Sequence, residues 1–336
     1  MSKLIIPKDY SALLSPMETQ KAIKKIKDFF QEELAVKLNL QRVSAPLFVQ
    51  PETGLNDNLN GIERRVRFTL KDMKEQPVEV VQSLAKWKRV ALKKYEVLPG
   101  AGIYTDMNAI RRDEEMDNLH SVYVDQWDWE QTITQDQRTT EYLHYVVKTI
   151  YEVLKELGNF VNKEYEKINI DLPDDIYFIT SQQLEELYPY KSPKERERLI
   201  SSKHKAVFIE QIGGRLRSGQ KHDGRSPDYD DWKLNGDIIL WNDVLQDAFE
   251  ISSMGIRVDA ESMYNQLIEA DAEERRILPF HVAVLNDELP YSIGGGIGQS
   301  RLCMYFLKKA HIGEVQASVW PDEMIEECKR NNIILL

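Results

Sequence analysis

Short segments that alternate polar and apolar residues, separated by long segments with helical periodicity, constrain the fold of this chain more than any other feature. Residues 65–70 alternate with the period of two that a half-buried strand requires. Residues 17–38 and 141–163 instead have the apolar spacing of long amphipathic helices. No linker interrupts the pattern, and strands joined by short hairpins favour antiparallel pairing. The sequence therefore predicts one α+β domain over residues 1–336, built on a mixed, mostly antiparallel sheet flanked by helices.

The remaining segments repeat this pattern. Strands are predicted at residues 78–81, 121–130, 176–180, 236–241, 248–251 and 256–258, and helices at residues 84–95, 260–270 and 272–285. Residues 188–232 are polar, basic in their first half and rich in Gly, Ser and Pro. Part of this region is predicted to be a mobile loop over a site, and an ordinary surface loop is the alternative.

Composition argues against several classes of protein. The net charge of −11 opposes a nucleic-acid-binding role, because phosphate backbones require a basic protein face. The longest apolar runs fall far short of a membrane span, and the first residues do not form a signal peptide. Cys303 and Cys328 are too few for a disulfide framework, so a reducing compartment is the simplest context. We therefore expect a cytoplasmic protein with no nucleic-acid or membrane partner.

The strand predicted ahead of the second long helix carries an unusual number of polar side chains. Its alternation places Asp125, Trp127 and Trp129 on one face, and Gln126, Asp128 and Glu130 on the other. Acidic residues are unfavourable in strands, so this polar face is expected either to be wet or to bind a ligand.

A lysine on an apolar helix face is a second candidate for a ligand-binding residue. Lys88 lies four residues after Leu84 on the buried side of the helix at residues 84–95. A lysine in that position must either extend its ammonium group to solvent or meet an anion, and the sequence leaves both possibilities open.

The sharpest local pattern is Gly-Gly-Gly-Ile-Gly-Gln-Ser-Arg at residues 294–301. It is not the dinucleotide-binding fingerprint, because Gln299 stands where the third glycine should be, and it lacks the Lys of a P-loop. Glycines at alternate positions, Gly296 and Gly298 among them, would let a backbone approach a flat ligand. Arg301 could pair with phosphate or stack on a base. A structural turn is the alternative.

These residues also fit Gly-x-Gly-x-Gly-x-x-Arg, the third signature of class II aminoacyl-tRNA synthetases, at every fixed position. Residues 17–46 resemble the first signature, a helix and then an extended stretch ending in proline. The second, an Arg-x-Glu loop between antiparallel strands, is similar to the segment that ends in Glu114, with Arg111 and Arg112 as alternative alignments. Class II-like domains pair through the first signature, so the resemblance implies a homodimer formed by residues 17–46.

Over nearly its full length the chain resembles the aspartate–ammonia ligase family. The resembling segments are residues 57–59, 83–89, 120–130, 227–232, 234–237, 247–259 and 294–302. The most specific is Ser-Leu-Ala-Lys-Trp-Lys-Arg at residues 83–89. Gln82 departs from the pattern, since a histidine is expected there in some members; a direct catalytic role for that position is therefore in doubt.

The resemblance implies an ATP site. Arg111 would hold the α-phosphate, Glu114 the adenine end, and Arg301 the far phosphates or the base. Asp237 and Glu250 would bind Mg²⁺. The implied ATP-binding residues are Arg111, Glu114, Glu250, Gly296, Gly298 and Arg301.

The resemblance also implies an aspartate site. Asp57, Gln126 and Asp128 would hold the substrate ammonium group, and Arg257 and Lys88 the carboxylates. Ser83 and Ser252 complete the predicted substrate-binding set. Asp230, with Asp231, would bind or deprotonate incoming ammonium. The implied catalytic residues are Lys88, Arg111, Asp230 and Arg301.

A family member would convert L-aspartate, ammonia and ATP into L-asparagine, AMP and diphosphate through a β-aspartyl-adenylate. A glutamine-dependent route needs a cysteine nucleophile, whereas residue 2 is Ser2 and neither cysteine lies near a histidine in the sequence. Two alternatives stay open. An aspartyl-tRNA synthetase paralogue would need an anticodon-reading domain and a basic surface, and an inactive regulatory subunit would lack the phosphate-binding arginines or the metal-binding carboxylates.

Overall fold

The computed structural model describes residues 4–57, 59 and 63–336. Ser2, and Asn58 within one segment of the family resemblance, lie outside these residues. The helices are α1 (Pro16–Lys37), α2 (Ala85–Lys94), α3 (Thr140–Glu164), α4 (Ser181–Leu187), α5 (Pro193–His204), α6 (Ala260–Glu269), α7 (Pro279–Leu285), α8 (Gln299–Phe306) and α9 (Asp322–Arg330).

The strands are β1 (Leu40–Arg42), β2 (Phe48–Val49), β3 (Arg67–Leu70), β4 (Gln76–Val80), β5 (Gly102–Ile110), β6 (Tyr123–Thr132), β7 (Tyr177–Thr180), β8 (Ala206–Glu210), β9 (Asp230–Asn242), β10 (Asp247–Arg257) and β11 (Ser292–Gly298). In the described part of the chain they form an eight-stranded sheet of order β1-β5-β6-β11-β10-β9-β8-β7 and a three-stranded sheet of order β2-β4-β3. The large sheet is antiparallel except for the β1–β5 and β7–β8 pairs at its edges. The prediction of a mixed, mostly antiparallel sheet is confirmed.

The back of the large sheet, the face that packs on α1 and α3, holds the main hydrophobic core. Trp127 and Trp129 of β6 are completely buried there, and the ring of Phe30 from α1 lies 5.0 Å from that of Trp127. α1 begins with a capping box in which Ser15 and Glu18 exchange hydrogen bonds. Because side chains alternate along a strand, β6 turns Gln126, Asp128 and Glu130 to the front of the sheet.

Three predicted segments differ from the structure, and the first is residues 188–232. Residues 188–232 contain α5 and the strand β8, which is buried along its whole length. The helical period of α5 is obscured because Arg196 and Glu197 are buried beside its apolar Ile200. The loop prediction is therefore wrong for α5 and β8. It applies only to the irregular chain after β8, and the mobility of that segment stays a prediction.

The prediction of a half-buried strand at residues 65–70 is wrong in its burial. β3 begins at Arg67, and the Phe68 side chain is 38% exposed. β3 is an edge strand of the small sheet, paired with β4 alone, and three of its four residues are exposed. The helix predicted at residues 272–285 is also divided, because Pro279 cannot continue a preceding helical turn and instead begins α7.

No helix among the described residues combines the length and the apolar character needed to cross a membrane.

The buried His311 should make stability depend on pH. Its side chain is fully buried, its Nδ1 accepts a hydrogen bond from the Gly313 N–H at 3.0 Å, and burial lowers its pKa from 6.5 to about 4. Between these values the unfolded chain binds the additional proton, so stability is lost as pH falls from 6.5 to 4. We expect this group to contribute about 3 kcal/mol to that loss.

Chemical denaturation of the wild type and His311→Asn across this pH range tests the expectation. Asparagine keeps an acceptor for the Gly313 N–H but does not titrate. The variant should therefore lose less stability between pH 6.5 and 4, and an unchanged slope would contradict the assignment.

Candidate active site

A cavity of about 380 Å³ opens at the front of the large sheet. Every predicted site residue except Asp231, Asp237 and Ser252 lines it. These residues are Asp57, Ser83, Lys88, Arg111, Glu114, Gln126, Asp128, Asp230, Glu250, Arg257, Gly296, Gly298 and Arg301. Residues distant in the sequence are therefore neighbours in the fold, while their individual roles stay predictions.

The glycine run forms strand β11 rather than a turn. Gly294 pairs with Glu130 and Gly296 with Asp128 across the β11–β6 ladder. A Cβ atom at Gly294 would lie 2.1 Å from Glu130 Oε2, and one at Gly296 would lie 2.4 Å from Gln126 Oε1. The glycines therefore make room for the row of polar side chains on β6, a packing requirement additional to the predicted approach of a ligand.

Lys88 meets an anion instead of extending to solvent. Its side chain is 1% exposed, and its Nζ donates to Asp128 Oδ1 at 2.8 Å and to the carbonyl oxygens of Trp129 at 3.0 Å and Gly295 at 2.9 Å. These acceptors use all three N–H groups of a lysine. Lys88 thus joins β6 to β11 and orients Asp128. Its predicted contact with a substrate carboxylate would require it to exchange one of these partners.

Arg257 is held between two carboxylates. Its Nε and Nη2 donate to the two oxygens of Glu130 at 2.9 and 2.7 Å, and its Nη1 donates to Asp230. Glu130 also accepts a hydrogen bond from the Ser292 hydroxyl at 2.7 Å. Burial raises the pKa of Asp230 in spite of Arg257. A substrate carboxylate could replace the single contact of Asp230 more easily than the bidentate contact of Glu130.

Asp57, another residue of the cavity wall, is 2% exposed. Its Oδ1 accepts from the Leu59 N–H at 3.0 Å, and its Oδ2 has no hydrogen-bond partner among the described residues. Burial raises its pKa. Ser83, nearby on the cavity wall, accepts the Ala85 N–H at 3.1 Å as α2 begins. Gln82 is fully buried and does not line the cavity.

The structure separates the two adjacent arginines of the Arg-x-Glu segment. Arg111 is half-buried and lines the cavity, where its Nε has no partner among the described residues. Arg112 is exposed and does not line it. Glu114 lies on the same wall. Arg111 Nη2 lies 3.5 Å from the Gln82 carbonyl oxygen, the only hydrogen-bond contact of this guanidinium within the described residues. The alignment on Arg111 therefore places a guanidinium in the site, which the alignment on Arg112 does not.

Arg301 and Glu250 form the opposite end of the cavity. Arg301 Nη1 lies 3.5 Å from Glu250 Oε2 and donates to the Glu250 carbonyl oxygen at 3.3 Å. Arg225, which the sequence analysis missed, lines the same end and donates through Nη2 to Asp237. Arg225 lies in the irregular chain that follows β8. The only sequence feature that could have indicated it is its closeness to the family-like segment at residues 227–232.

A register shift in β10 lies between Glu250 and Ser252 and marks a β-bulge. After it Ser253, not Ser252, lines the cavity, and the Ser252 hydroxyl donates instead to the Gly296 carbonyl oxygen at 3.1 Å. Ser252, which the resemblance implied to be substrate-binding, therefore does not line the cavity, because strict alternation is broken there. The strands predicted separately at residues 248–251 and 256–258 are one bent strand.

Asp231 likewise faces away from the cavity. It neighbours Asp230 on β9, so the two side chains point to opposite faces. Its Oδ2 lies 3.0 Å from Arg138, and its Oδ1 accepts the Lys233 N–H at 3.0 Å. The expectation that Asp231 assists Asp230 with ammonium is therefore wrong.

Asp237 and Glu250 are a pair of carboxylates rather than a complete metal centre. In the described ranges no group of three His, Cys, Asp or Glu side chains could hold a metal ion. Mg²⁺ in nucleotide sites commonly takes one or two carboxylates together with substrate phosphates. Burial raises the pKa of Asp237 to about 7 against the lowering effect of Arg225, and Glu250 adds to the rise. Arg225 pairs with Asp237 and Arg301 lies 3.5 Å from Glu250, so Mg²⁺ at these carboxylates would have to replace or share the arginine contacts.

Sequence comparisons agree with this arrangement. The family model described as aspartate–ammonia ligase matches residues 17–332. The chain belongs to the aspartate–ammonia ligase family. Among members of this family, the aspartate–ammonia ligase of Ruminiclostridium cellulolyticum is 60% identical over 336 residues, covering 100% of both chains. That of Clostridium tetani is 58% identical over 334 residues, covering 99% of this chain and 98% of the relative.

Comparison with solved structures of other proteins shows the fold of this member of the aspartate–ammonia ligase family. The asparaginyl-tRNA synthetase of Pyrococcus horikoshii complexed with asparaginyl-adenylate superposes with a TM-score of 0.66 at 14% identity, covering 90% of this chain and 70% of that one. The aspartyl-tRNA synthetase of Entamoeba histolytica gives a TM-score of 0.59 at 13% identity, covering 89% of this chain and 58% of that one. The predicted class II aminoacyl-tRNA synthetase fold is confirmed.

Proposed function

We propose that this chain catalyses the ATP-dependent amidation of L-aspartate by ammonia, giving L-asparagine, AMP and diphosphate through a β-aspartyl-adenylate. The observation that carries the proposal is one cavity in which Arg111 and Arg301 stand at the walls around a row of acidic and amide groups, Gln126 and Asp128 among them. Two guanidinium groups suit a nucleotide phosphate, and the polar row suits a small zwitterion.

The first half-reaction is adenylation of the β-carboxylate. A carboxylate oxygen attacks the α-phosphorus of ATP, the new O–P bond forms, and the bond to diphosphate breaks. Arg111 and Arg301 stabilise the negative charge that builds on the phosphate oxygens. Asp237 and Glu250 would hold Mg²⁺, which supplies further charge stabilisation when it is bound. ATP contacts are completed by Glu114, Gly296 and Gly298.

Substrate orientation decides which carboxylate reacts. We assign Asp57, Gln126 and Asp128 to the α-ammonium group, with Lys88 fixing Asp128. Arg257 binds the α-carboxylate in exchange for Asp230, with Ser83 as a further donor. The β-carboxylate is then left facing the nucleotide.

The second half-reaction is aminolysis. The ammonia lone pair forms a C–N bond with the β-carbonyl carbon, and AMP leaves with the electron pair of the broken C–O bond. Asp230, released from Arg257 by the substrate, accepts the proton that the nitrogen loses. The raised pKa of Asp230 suits a proton acceptor better than an ordinary surface aspartate.

Incubation of the purified protein with aspartate, ATP, Mg²⁺ and ammonium tests the proposal, with asparagine and AMP expected in equal amounts. Aspartate-dependent exchange of diphosphate into ATP should occur without ammonium. Charging of bulk tRNA would instead support the synthetase alternative. Absence of exchange would support an inactive regulatory subunit.

Four further features belong to this proposal. Residues 1–336 act as one catalytic domain, and residues 17–46 form the interface of a homodimer. The irregular chain between β8 and β9 moves over the bound substrates. The enzyme works in the cytoplasm. A monomeric mass in solution would contradict the interface.

A further inference from the structure

Asp125 accepts four hydrogen bonds from three separate elements. It lies on β6, is 8% exposed and lines the edge of the cavity. Its Oδ1 accepts the Ser300 N–H at 3.0 Å and Gln316 Nε2 at 3.2 Å. Its Oδ2 accepts the Ser300 hydroxyl at 2.8 Å and Lys27 Nζ at 3.2 Å. Gln316 Nε2 also donates to the Ser300 hydroxyl at 3.1 Å, which closes the network.

This network fixes the first turn of α8. α8 begins at Gln299, so Ser300 and Arg301 are in its first turn. The first N–H groups of a helix lack partners within it, and a carboxylate there is favoured by both the hydrogen bond and the helix dipole. Asp125 thus holds the backbone from which Arg301 projects. At its other end, the Arg301 guanidinium contacts Glu250.

Lys27 connects this network to α1. It lies on the helix predicted to form the dimer interface, its side chain is 30% exposed, and its ammonium group is 3.2 Å from Asp125. Removal of this cation leaves a nearly buried carboxylate without its charged partner, which favours a shift of Asp125 toward solvent. A shift of Asp125 moves the helix turn that carries Arg301.

We propose that Asp125 and Lys27 are positioning residues for ATP: they set the direction of Arg301 through Ser300 and so couple α1 to the nucleotide end of the cavity. The inference rests on the proposed function, because Arg301 is taken as an ATP-binding group. Neither residue contacts aspartate in this arrangement. Substitution of either residue should therefore change KM for ATP and not KM for aspartate.

Steady-state kinetics of Lys27→Met and Asp125→Asn in the full-length protein test the proposal. We expect KM for ATP to rise about tenfold in Asp125→Asn and about threefold in Lys27→Met, because a displacement of about 1 Å weakens an oriented contact strongly. KM for aspartate should change less than twofold. Lys27→Arg, which retains the cation, should restore KM for ATP.

Lys24→Met is the matched control, since Lys24 is an exposed lysine of the same helix that pairs with Asp28. It should leave both KM values unchanged. Equal rises in KM for ATP and for aspartate, or an unchanged KM for ATP in the soluble Lys27→Met variant, would overturn the positioning role. A wild-type protein that makes no asparagine would instead overturn the proposed function.

Discussion

Arg111→Lys should lower the rate of aspartate-dependent ATP–diphosphate exchange by about 10²- to 10³-fold, the usual cost of removing one oriented donor to transition-state charge. Lysine keeps the charge but lacks the planar fork that can contact two phosphate oxygens at once. The observation behind this expectation is that Arg111 lines the cavity and is held there by no more than a 3.5 Å contact of Nη2 with the Gln82 carbonyl oxygen among the described residues. Exchange measured at saturating aspartate and ATP separates a loss in rate from weaker binding.

Arg112→Lys provides the control for this experiment. Arg112 adjoins Arg111 in the chain but is exposed and outside the cavity. Its variant should exchange diphosphate within twofold of the wild-type rate. If Arg112→Lys loses diphosphate exchange and Arg111→Lys does not, the second signature is aligned on the wrong arginine. The proposed contact of Arg111 with phosphate would then be wrong.

Glu130→Gln should cost about 3–5 kcal/mol of the free energy of unfolding, the range observed when one partner of a buried ion pair is removed. Glu130 is completely buried, holds Arg257 by two hydrogen bonds and lies 3.8 Å from Lys88. Burial alone would raise its pKa, yet Arg257, its hydrogen bonds and Lys88 lower that pKa below the ordinary value. The stabilisation is therefore present at neutral pH and is lost only as pH falls through the lowered pKa.

Urea denaturation at pH 7 measures this effect, and Glu152→Gln is the comparison. Glu152 is 63% exposed on α3 and lies 3.8 Å from Lys37, so its loss should cost under about 1 kcal/mol. A small cost for Glu130→Gln would mean that Arg257 finds sufficient compensation in Asp230. The pair would then be a poor anchor for the substrate site.

The sequence predicted the structure best where the residue pattern of a single helix or strand was enough to decide which side chains are buried. Alternation alone placed Gln126 and Asp128 on the face opposite Trp127, because the period of a strand leaves no other arrangement. The fold class followed in the same way from the order of helical and alternating segments. The buried stripe of α2 identified Lys88, although its acceptor on Gly295 comes from a strand about two hundred residues away.

The failures occur where tertiary contacts outweigh local pattern. Phe68 looked half-buried, but coverage of a strand depends on what lies above it and not on its own period. Arg225 had no periodic context, and only folding brings it to Asp237. Ser252 was misplaced because an irregularity in strand pairing cannot be read from the residues that flank it.

That irregularity explains how Glu250 and Arg257, two groups on one strand, can line the same cavity. Glu250 and Arg257 are an odd number of positions apart, so a regular pleat would direct one of them into the tryptophan-rich core. The extra residue reverses the parity, and both side chains enter the same chamber. A strand of the same length that paired regularly here would turn the Glu250 carboxylate and the Arg257 guanidinium to opposite sides. The bulge, and not the spacing of the two residues in the sequence, therefore decides that one strand supplies both a carboxylate and a guanidinium to the same cavity.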